Sequence, residues 1–286
     1  MNSTKIGISG ADTQFYDRGH KSTVEIPEYV KELGLDCFEY SFGKGVRLSY
    51  ETRQNIKTAF EKENLEISVH APYFINFANP DEEKIKNTFG YLYDSCVAVK
   101  DLGGQRVVFH PGSFLKNDKE TAFNLAFESF GRFLEKFGDY LIENNIYVCP
   151  ETMGKSMQVG TVEEVGKFCA LHKNTLPCVD FGHVNARMQG ILKTSDDYRE
   201  LIDTLSLYVS DFQLKNMHIH FSKIEYGAKG ELRHLTFSDR TFGPEFEPLA
   251  KVLVDYRLTP YIVSESDGTQ GLDAMYMKKI YNEYKG

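Results

Sequence analysis

The chain has 286 residues, of which 41% are hydrophobic and 26% are charged. That length is normal for a single α/β barrel, and the composition is typical of a globular protein with ample core material. The formal net charge of −8 argues against a dedicated nucleic-acid-binding protein with a large basic surface.

The cysteines and the amino terminus indicate a cytoplasmic protein. There are five cysteines, an odd number, and no CxxC motif occurs, which is typical of reduced thiols. The opening MNSTKIGISG lacks the charged and apolar regions of a secretory signal. No apolar run reaches about 18 residues, so we expect no membrane span. No linker divides the chain, and we predict one domain over residues 1–286, in a monomer.

A short apolar run followed by a helical pattern recurs along the whole chain. The clearest helical pattern precedes the fifth run, where Phe123, Phe127 and Phe130 share one face. The apolar runs predict strands over residues 5–10, 37–42, 66–70, 106–110, 146–151, 177–183, 216–221 and 260–265.

This alternation predicts a single (β/α)8 TIM barrel, with an open doubly wound sheet as the alternative. Strands that read as continuous apolar runs suit a parallel sheet that is covered on both faces. Right-handed crossovers place the carboxyl ends of all such strands at one end of the barrel. We therefore expect functional side chains to converge at that end.

Imidazole and carboxylate side chains gather at the predicted strand ends. Any single histidine there could simply bond to the backbone, but so many on successive strands predict a metal centre. Imidazole nitrogen and carboxylate oxygen are zinc ligands, and mixed sites also suit Mn²⁺ or Fe²⁺. A shared carboxylate can bridge two ions, which suits hydrolysis at phosphorus. The residues are His70, His110, Glu151, Asp180, His183, His218 and Glu265, with His234 in the loop after strand seven.

Other polar residues near these ends are candidates for substrate contact. Tyr73 and Asn76 follow His70, and they either meet a substrate or pack within the loop. His220 alternates with His218 across one residue, so both point to the same face of the strand. We expect His220 to contact substrate or to support a ligand.

Charged residues on the same loops have two interpretations each. Lys223 could bind an anionic group or remain a solvated lysine. Arg187, with Lys155, Lys229 and Arg233, could form a basic rim or ordinary surface charge. Glu39, inside the second strand, either faces the barrel mouth or pairs with a buried cation.

Several segments from the third strand to the carboxyl terminus resemble the endonuclease IV branch (AP endonuclease family 2) of the xylose-isomerase-like TIM barrels. Members of that branch are zinc enzymes that cut DNA 5′ to an abasic site. The resemblance therefore implies a hydrolase active in DNA repair. The segments are VHAPYFINFANP (69–80), VFHPGS (108–113), PETMGK (150–155), VDFGHVNAR (179–187), MHIHFSK (217–223) and SES (264–266).

The resemblance implies two or three zinc ions. One would bind His70, His110 and Glu151. A third would use His183 and His234 with a nearby carboxylate. In GELRHL (230–235) the family's aspartate position is Leu232, a departure from the pattern, and Glu231 is the nearest carboxylate that could substitute. The second position would comprise Glu151, Asp180, His218 and Glu265, of which Glu151 and Glu265 are the catalytic carboxylates.

Two other functions stay open. A sugar isomerase or epimerase of the same superfamily would need one divalent metal, with Glu151 and Glu265 as proton-transfer groups flanking Asp180. His70 and His110 argue against it, because such enzymes use fewer histidines. A non-catalytic barrel that binds a ligand or protein is less favoured, because unpaired charges in a pocket are destabilising. The partner is thus abasic-site DNA or a small sugar or phosphate.

Overall fold

The computed structural model describes residues 3–286. Eight strands form one sheet in which each neighbouring pair is parallel. The strands are β1 Lys5–Ser9, β2 Cys37–Ser41, β3 Glu66–His70, β4 Arg106–Phe109, β5 Tyr147–Pro150, β6 Cys178–Asp180, β7 His218–Phe221 and β8 Tyr261–Ser264.

The sheet curls into a nearly closed ring. Its order is β5-β4-β3-β2-β1-β8-β7-β6, so the first and last strands in the chain pair with each other. The remaining gap between β5 and β6 is bridged by pairings of Val148 with Thr175 and of Glu151 with Cys178. The predicted TIM barrel is confirmed, and the open doubly wound alternative is wrong.

Helices cover the outside of the ring. A 3-10 turn at Thr23–Glu25 precedes the second helix, and no described helix is long and apolar enough to cross a membrane. The helices are α1 Thr13–Asp17, α2 Ile26–Glu32, α3 Tyr50–Glu63, α4 Glu82–Asp101, α5 Lys119–Glu143, α6 Val162–Ala170, α7 Phe181–Arg187, α8 Ser195–Ser206, α9 Asp211–Lys215, α10 Phe246–Asp255 and α11 Gln270–Lys285.

The layer between helices and sheet is rich in phenylalanine. Phe130 and Phe133 of α5 are fully buried. Both lie on the apolar face that the sequence pattern predicts for this helix. The ring of Phe109 at the end of β4 lies 5.3 Å from that of Phe130, measured between centroids. Phe77, in the loop after β3, lies 5.3 Å from Phe130 as well. This packing fixes the loops that follow β3 and β4, which carry candidate site residues.

Two elements differ from the sequence prediction. The sixth strand is shorter than residues 177–183, because Asp180 caps helix α7 and its Oδ1 accepts a hydrogen bond from the His183 amide at 2.7 Å. His183 therefore lies in the first turn of a helix. His234 lies on a strand rather than in a loop, within an antiparallel hairpin of Lys223–Gly227 and Gly230–Leu235.

Candidate metal centre

Three of the four groups of ligand-type side chains in the described residues meet at the carboxyl ends of the strands. Within each group the ligand atoms lie within 4.8 Å of one another. We call them the His70 group (His70, His110, Glu151), the central group (Glu151, Asp180, His220, Glu265) and the His183 group (His183, Glu231, His234).

In the His70 group, two imidazoles face one carboxylate oxygen. Nε2 of His70 and Nε2 of His110 lie 3.1 and 3.2 Å from Oε2 of Glu151. Nδ1 of His70 donates to the carbonyl oxygen of Ala71 at 2.9 Å. That bond leaves Nε2 as the ligand atom, because the partner of one ring nitrogen decides the role of the other.

The central group contains three carboxylates and one imidazole. Nδ1 of His220 lies 3.2 Å from Oε1 of Glu151 and 3.5 Å from Oε2 of Glu265. Asp180 is fully buried, and its Oδ2 has no hydrogen-bond partner. An orphaned buried carboxylate oxygen beside two further carboxylates fits a divalent cation, which would satisfy all three.

In the His183 group, the hairpin brings its residues against helix α7. Nε2 of His183 lies 3.4 Å from Oε2 of Glu231, and Nδ1 of His183 donates to the carbonyl oxygen of Thr152 at 3.0 Å. Nδ1 of His234 bonds to Oγ of Ser222 at 2.8 Å, which leaves its Nε2 available. Gly154 permits this approach, since a Cβ there would lie 2.7 Å from Cβ of Glu231.

The electrostatics of the metal-free site reflect its crowded charges. Burial raises the pKa of Asp180 to about 8, and Glu265 and Glu151 reinforce that rise against the opposing charge of His183. Burial alone would lower the pKa of His183, but Asp180 and Glu151 hold it well above its ordinary value. A cation would suit this group, because so many carboxylates cannot all be ionised without a counter-charge.

The structure places His220, and not His218, in the central group. The two residues are about 6.6 Å apart along β7, at roughly 3.3 Å per residue, and His220 is nearer the carboxyl end. His218 lies deeper, with Nε2 3.1 Å from Oε2 of Glu39 and its ring 5.0 Å from that of Tyr261. The structure thus groups His220, in place of the predicted His218, with Glu151, Asp180 and Glu265.

Tyr73 stands at the mouth of the site. It is 61% exposed, and its ring centroid lies 5.8 Å from that of His110 and 5.9 Å from that of His70. A substrate approaching the His70 group would meet this ring first. Asn76 instead braces its own loop, because its Oδ1 accepts from the amides of Ala78 and Ser113.

Lys223, predicted either to bind an anion or to be solvated, is buried and paired within its own loop. Its side chain is 1% exposed, and Nζ donates to Oε1 of Glu245 at 2.6 Å and to the carbonyl oxygen of Asp239 at 2.9 Å. Both partners belong to the loop that follows the hairpin, and the carboxylate of Glu245 neutralises the charge of the lysine. The lysine therefore anchors that loop and does not face the metal centre.

Arg187 is also occupied. Its Nη1 donates to three carbonyl oxygens, at 2.9 to 3.2 Å, and burial lowers the pKa of its guanidinium. The acceptors belong to Met153, Lys155 and Gln158, so Arg187 secures the loop after β5. The substrate contact predicted for Arg187 stays a prediction.

Two residues that support ligands are identified only by the structure. The sequence allows two interpretations of Glu39, and the structure places it, fully buried, against two histidines. Ser222 is not singled out by the sequence at all. Its position directly after the strand-seven histidines is the signal that could have found it, since ligands need partners for their second nitrogen.

An eight-stranded α/β barrel with imidazole and carboxylate groups at its carboxyl rim defines the class of this protein: a TIM barrel with a candidate metal centre. The chain belongs to the xylose isomerase-like TIM barrel family, whose model matches residues 27–277.

Relatives and solved structures agree with this placement. An uncharacterized protein of Methanocaldococcus jannaschii is 32% identical over 256 residues, with 90% of each chain covered. A probable endonuclease 4 of Malacoplasma penetrans is 30% identical over 173 residues, covering 59% of this chain and 56% of that protein.

Two solved structures match the fold over nearly their whole length. A D-tagatose 3-epimerase-like protein has a TM-score of 0.71 at 22% identity, covering 98% of this chain and 97% of that one. Endonuclease IV from Thermus thermophilus has a TM-score of 0.68 at 18% identity, covering 98% of both chains. At such identities the likeness concerns the fold, and the chemistry must be argued from the site.

Proposed function

We propose that this protein is a metal-dependent phosphodiesterase that cuts DNA 5′ to abasic sites. One observation carries the proposal: the two carboxylate oxygens of Glu151 face different ligand groups. Oε2 lies 3.1 Å from His70, whereas Oε1 lies 3.2 Å from His220. A carboxylate so placed can bridge two ions, which suits hydrolysis at phosphorus, where both the entering and the leaving oxygen carry charge.

Divalent ions in the three groups would supply Lewis-acid stabilisation of the phosphoryl oxygens and a more acidic water. We assign zinc to the His70 and His183 groups, because two imidazoles and a carboxylate are a zinc ligand set. The central group has only one imidazole among its ligands, so Mn²⁺ or Fe²⁺ is the alternative there.

Glu265 is the proton acceptor that this chain offers for the attacking water. Its side chain is 18% exposed, so it reaches the open side of the central group. Although burial alone would raise the pKa of Glu265, His220 and His234 hold it below its ordinary value. The carboxylate is therefore ionised near neutral pH and can take a proton at the barrel mouth.

The rim offers contacts for a nucleic acid in spite of the acidic net charge. Lys155 pairs with Gly230 of the hairpin, which holds the loop after β5 beside the His183 group. Lys155 and Lys229 are exposed there, and neither has an ion pair within the described residues. Tyr73 and Phe74, which are 61% and 54% exposed, provide flat faces that can stack on bases.

The test is cleavage of a duplex oligonucleotide that carries one tetrahydrofuran abasic analogue. Zinc-replete protein is compared with chelator-treated protein and with the Glu151→Gln variant, and an undamaged duplex serves as the substrate control. We expect one cut on the 5′ side of the analogue, abolished in both controls. Protein with measured bound metal that leaves the analogue intact would refute the DNA substrate.

A sugar epimerase is the second candidate, because the central group by itself places Glu151 and Glu265 around one cation position beside Asp180. Two carboxylates on opposite sides of a bound sugar could remove and return a carbon-bound proton. Incubation of the metal-loaded protein with ketohexoses in D₂O separates the candidates. Deuterium incorporated at a sugar carbon would favour epimerisation, whereas an unlabelled sugar together with cut DNA would favour the phosphodiesterase.

A further inference from the structure

A buried carboxylate lies beneath the central group. Glu39 projects from β2 into the barrel and is fully buried. Its Oε1 lies 2.9 Å from Nε2 of His220, and its Oε2 lies 3.1 Å from Nε2 of His218. Oγ of Ser68 on the neighbouring strand donates to Oε2 at 2.9 Å. An unpaired charge at this depth would be strongly destabilising, so the carboxylate depends on these neighbours.

His220 differs from His70 and His183 in that its ring nitrogens face carboxylates and no backbone carbonyl oxygen. His70 and His183 both direct Nδ1 to a backbone carbonyl oxygen and keep Nε2 towards a carboxylate of their group. His220 directs Nε2 to Glu39 and Nδ1 to Glu151. Only a ring nitrogen without a proton can bind a metal, so the residue that faces Nε2 decides whether Nδ1 can coordinate.

We propose that Glu39 is a positioning residue for the central ion: its carboxylate holds a proton on Nε2 of His220 and so leaves Nδ1 free to coordinate. Ser68 fixes the second carboxylate oxygen through its hydrogen bond, and His218 lies beside that oxygen, so the side chain has a defined angle. This inference rests on the metal centre of the proposed function, but not on its DNA substrate.

The chain offers one competing arrangement. Cys178, His218 and His220 also have ligand atoms within 4.8 Å of one another, and all three are buried. An ion held by that trio would take His218 and Cys178 as ligands and would leave Glu39 with a different role. The two arrangements are distinguished by whether His218 binds the metal.

The first experiment is ¹⁵N NMR of the histidine rings in the wild-type, zinc-loaded protein. We expect His220 to show a metal-bound Nδ1 and a protonated Nε2, and His218 to show no bound metal. Coordination through Nε2 of His220, coordination by His218, or an absent central ion would each overturn the proposal. The measurement needs no variant and does not depend on DNA cleavage.

The second experiment removes the charge with Glu39→Gln, which keeps the size of the side chain. An amide can donate to Nε2 and so favours the proton on Nδ1, where it blocks coordination. Loss of such a partner typically costs about 10- to 100-fold in metal affinity. We therefore expect zinc affinity at the central position, measured against a competing chelator and located by anomalous scattering, to fall in that range.

The matched controls separate positioning from general damage. Occupancy of the His70 group in Glu39→Gln should stay unchanged, which also shows that the variant has folded. Glu66→Gln changes the same functional group on adjacent β3, where Glu66 is exposed and pairs with Lys5, and should leave all affinities unchanged. Wild-type affinity at the central position of Glu39→Gln would overturn the proposal, and if that variant fails to fold the NMR result decides.

Discussion

Nδ1 of His220 lies 3.2 Å from Oε1 of Glu151, although the two residues are 69 positions apart in the chain. His220 lies near the carboxyl end of β7 and Glu151 directly follows β5. These strands flank β6, and the curvature of the barrel brings the two side chains together over its interior. The other oxygen of Glu151 faces His70 and His110. Glu151 therefore connects the central group to the His70 group, and the behaviour of this one carboxylate should dominate the chemistry.

Glu151→Gln should lose metal from both groups at once. An amide offers one neutral oxygen in place of two charged ones, so neither group keeps its bridging ligand. We expect at least one ion fewer per chain by mass spectrometry and a fall in phosphodiesterase activity of about 1000-fold or more, in line with loss of metal-based stabilisation. Glu128→Gln, on the exposed side of α5, should change neither quantity. Full metal content in Glu151→Gln would contradict the bridging role.

His220 and His218 should differ sharply when each is replaced by alanine. His220→Ala removes a ligand of the central group, and we expect the central ion and the activity to be lost. His218→Ala removes only a neighbour of Glu39, so the ion should remain with weaker binding. Metal content and zinc affinity of the two variants provide the comparison. The opposite order would show that His218 is the ligand.

The metal-free protein should become less stable as pH rises from about 4 to 8. The folded state holds a proton on Asp180 up to a pKa of about 8, whereas the unfolded state releases it near the ordinary value of 3.8. A group that binds its proton more tightly when folded contributes stability at low pH and loses it as pH rises through the folded pKa.

Thermal unfolding of metal-free protein at pH 5 and pH 8 tests this expectation. We expect a melting temperature lower by about 5 °C or more at pH 8, since a few kcal/mol shifts a chain of this size by that amount. In Asp180→Asn the difference between the two melting temperatures should be smaller. Added zinc should raise the melting temperature of the wild-type protein at pH 8, because it binds the folded state. A melting temperature that rises with pH in the metal-free wild type would refute the role of Asp180.

Ser222→Ala should weaken the His183 group selectively. Oγ of Ser222 holds Nδ1 of His234 at 2.8 Å, and without it the ring can rotate or change tautomer. We expect about 10-fold weaker zinc binding at that position, as is typical when the partner of a ligand is lost. Occupancy of the His70 group in the same crystals is the internal control. Equal affinity at all positions would show that the serine only packs there.

The exposed lysines of the rim should govern the salt dependence of DNA binding. Each phosphate contact contributes about 0.9 to the slope of log K against log salt. Lys155→Gln combined with Lys229→Gln should therefore reduce the slope by up to about 2, measured by fluorescence anisotropy on abasic duplex. Lys62→Gln, on the exposed end of α3, serves as the control. An unchanged slope in the double variant would remove these lysines from the DNA interface.

The barrel and the general position of its centre were predictable from the sequence. Eight apolar runs separated by helical patterns specify βα units through local periodicity, and parallel strands must share one carboxyl end. The places of His70, His110 and Glu151 at strand ends predicted that their side chains meet, and the structure does group them. The bounds of strand six could not be predicted, because Asp180 is the cap of helix α7. A pattern of only three residues cannot distinguish the end of a strand from the first turn of a helix.

The sequence by itself determined the fold class and that side chains such as His70, His110 and Glu151 meet at the rim, since both follow from periodicity and from the direction of parallel strands. Only the tertiary structure decided which of the rim residues share a group. Whether His218 or His220 reaches Glu151 depends on depth inside the barrel, which is set by the register of β7 against β6 and β8. The side chain of Lys223 is also positioned by tertiary contacts. Its charge is paired with Glu245, which lies 22 residues further along the chain and comes within reach only when the protein folds.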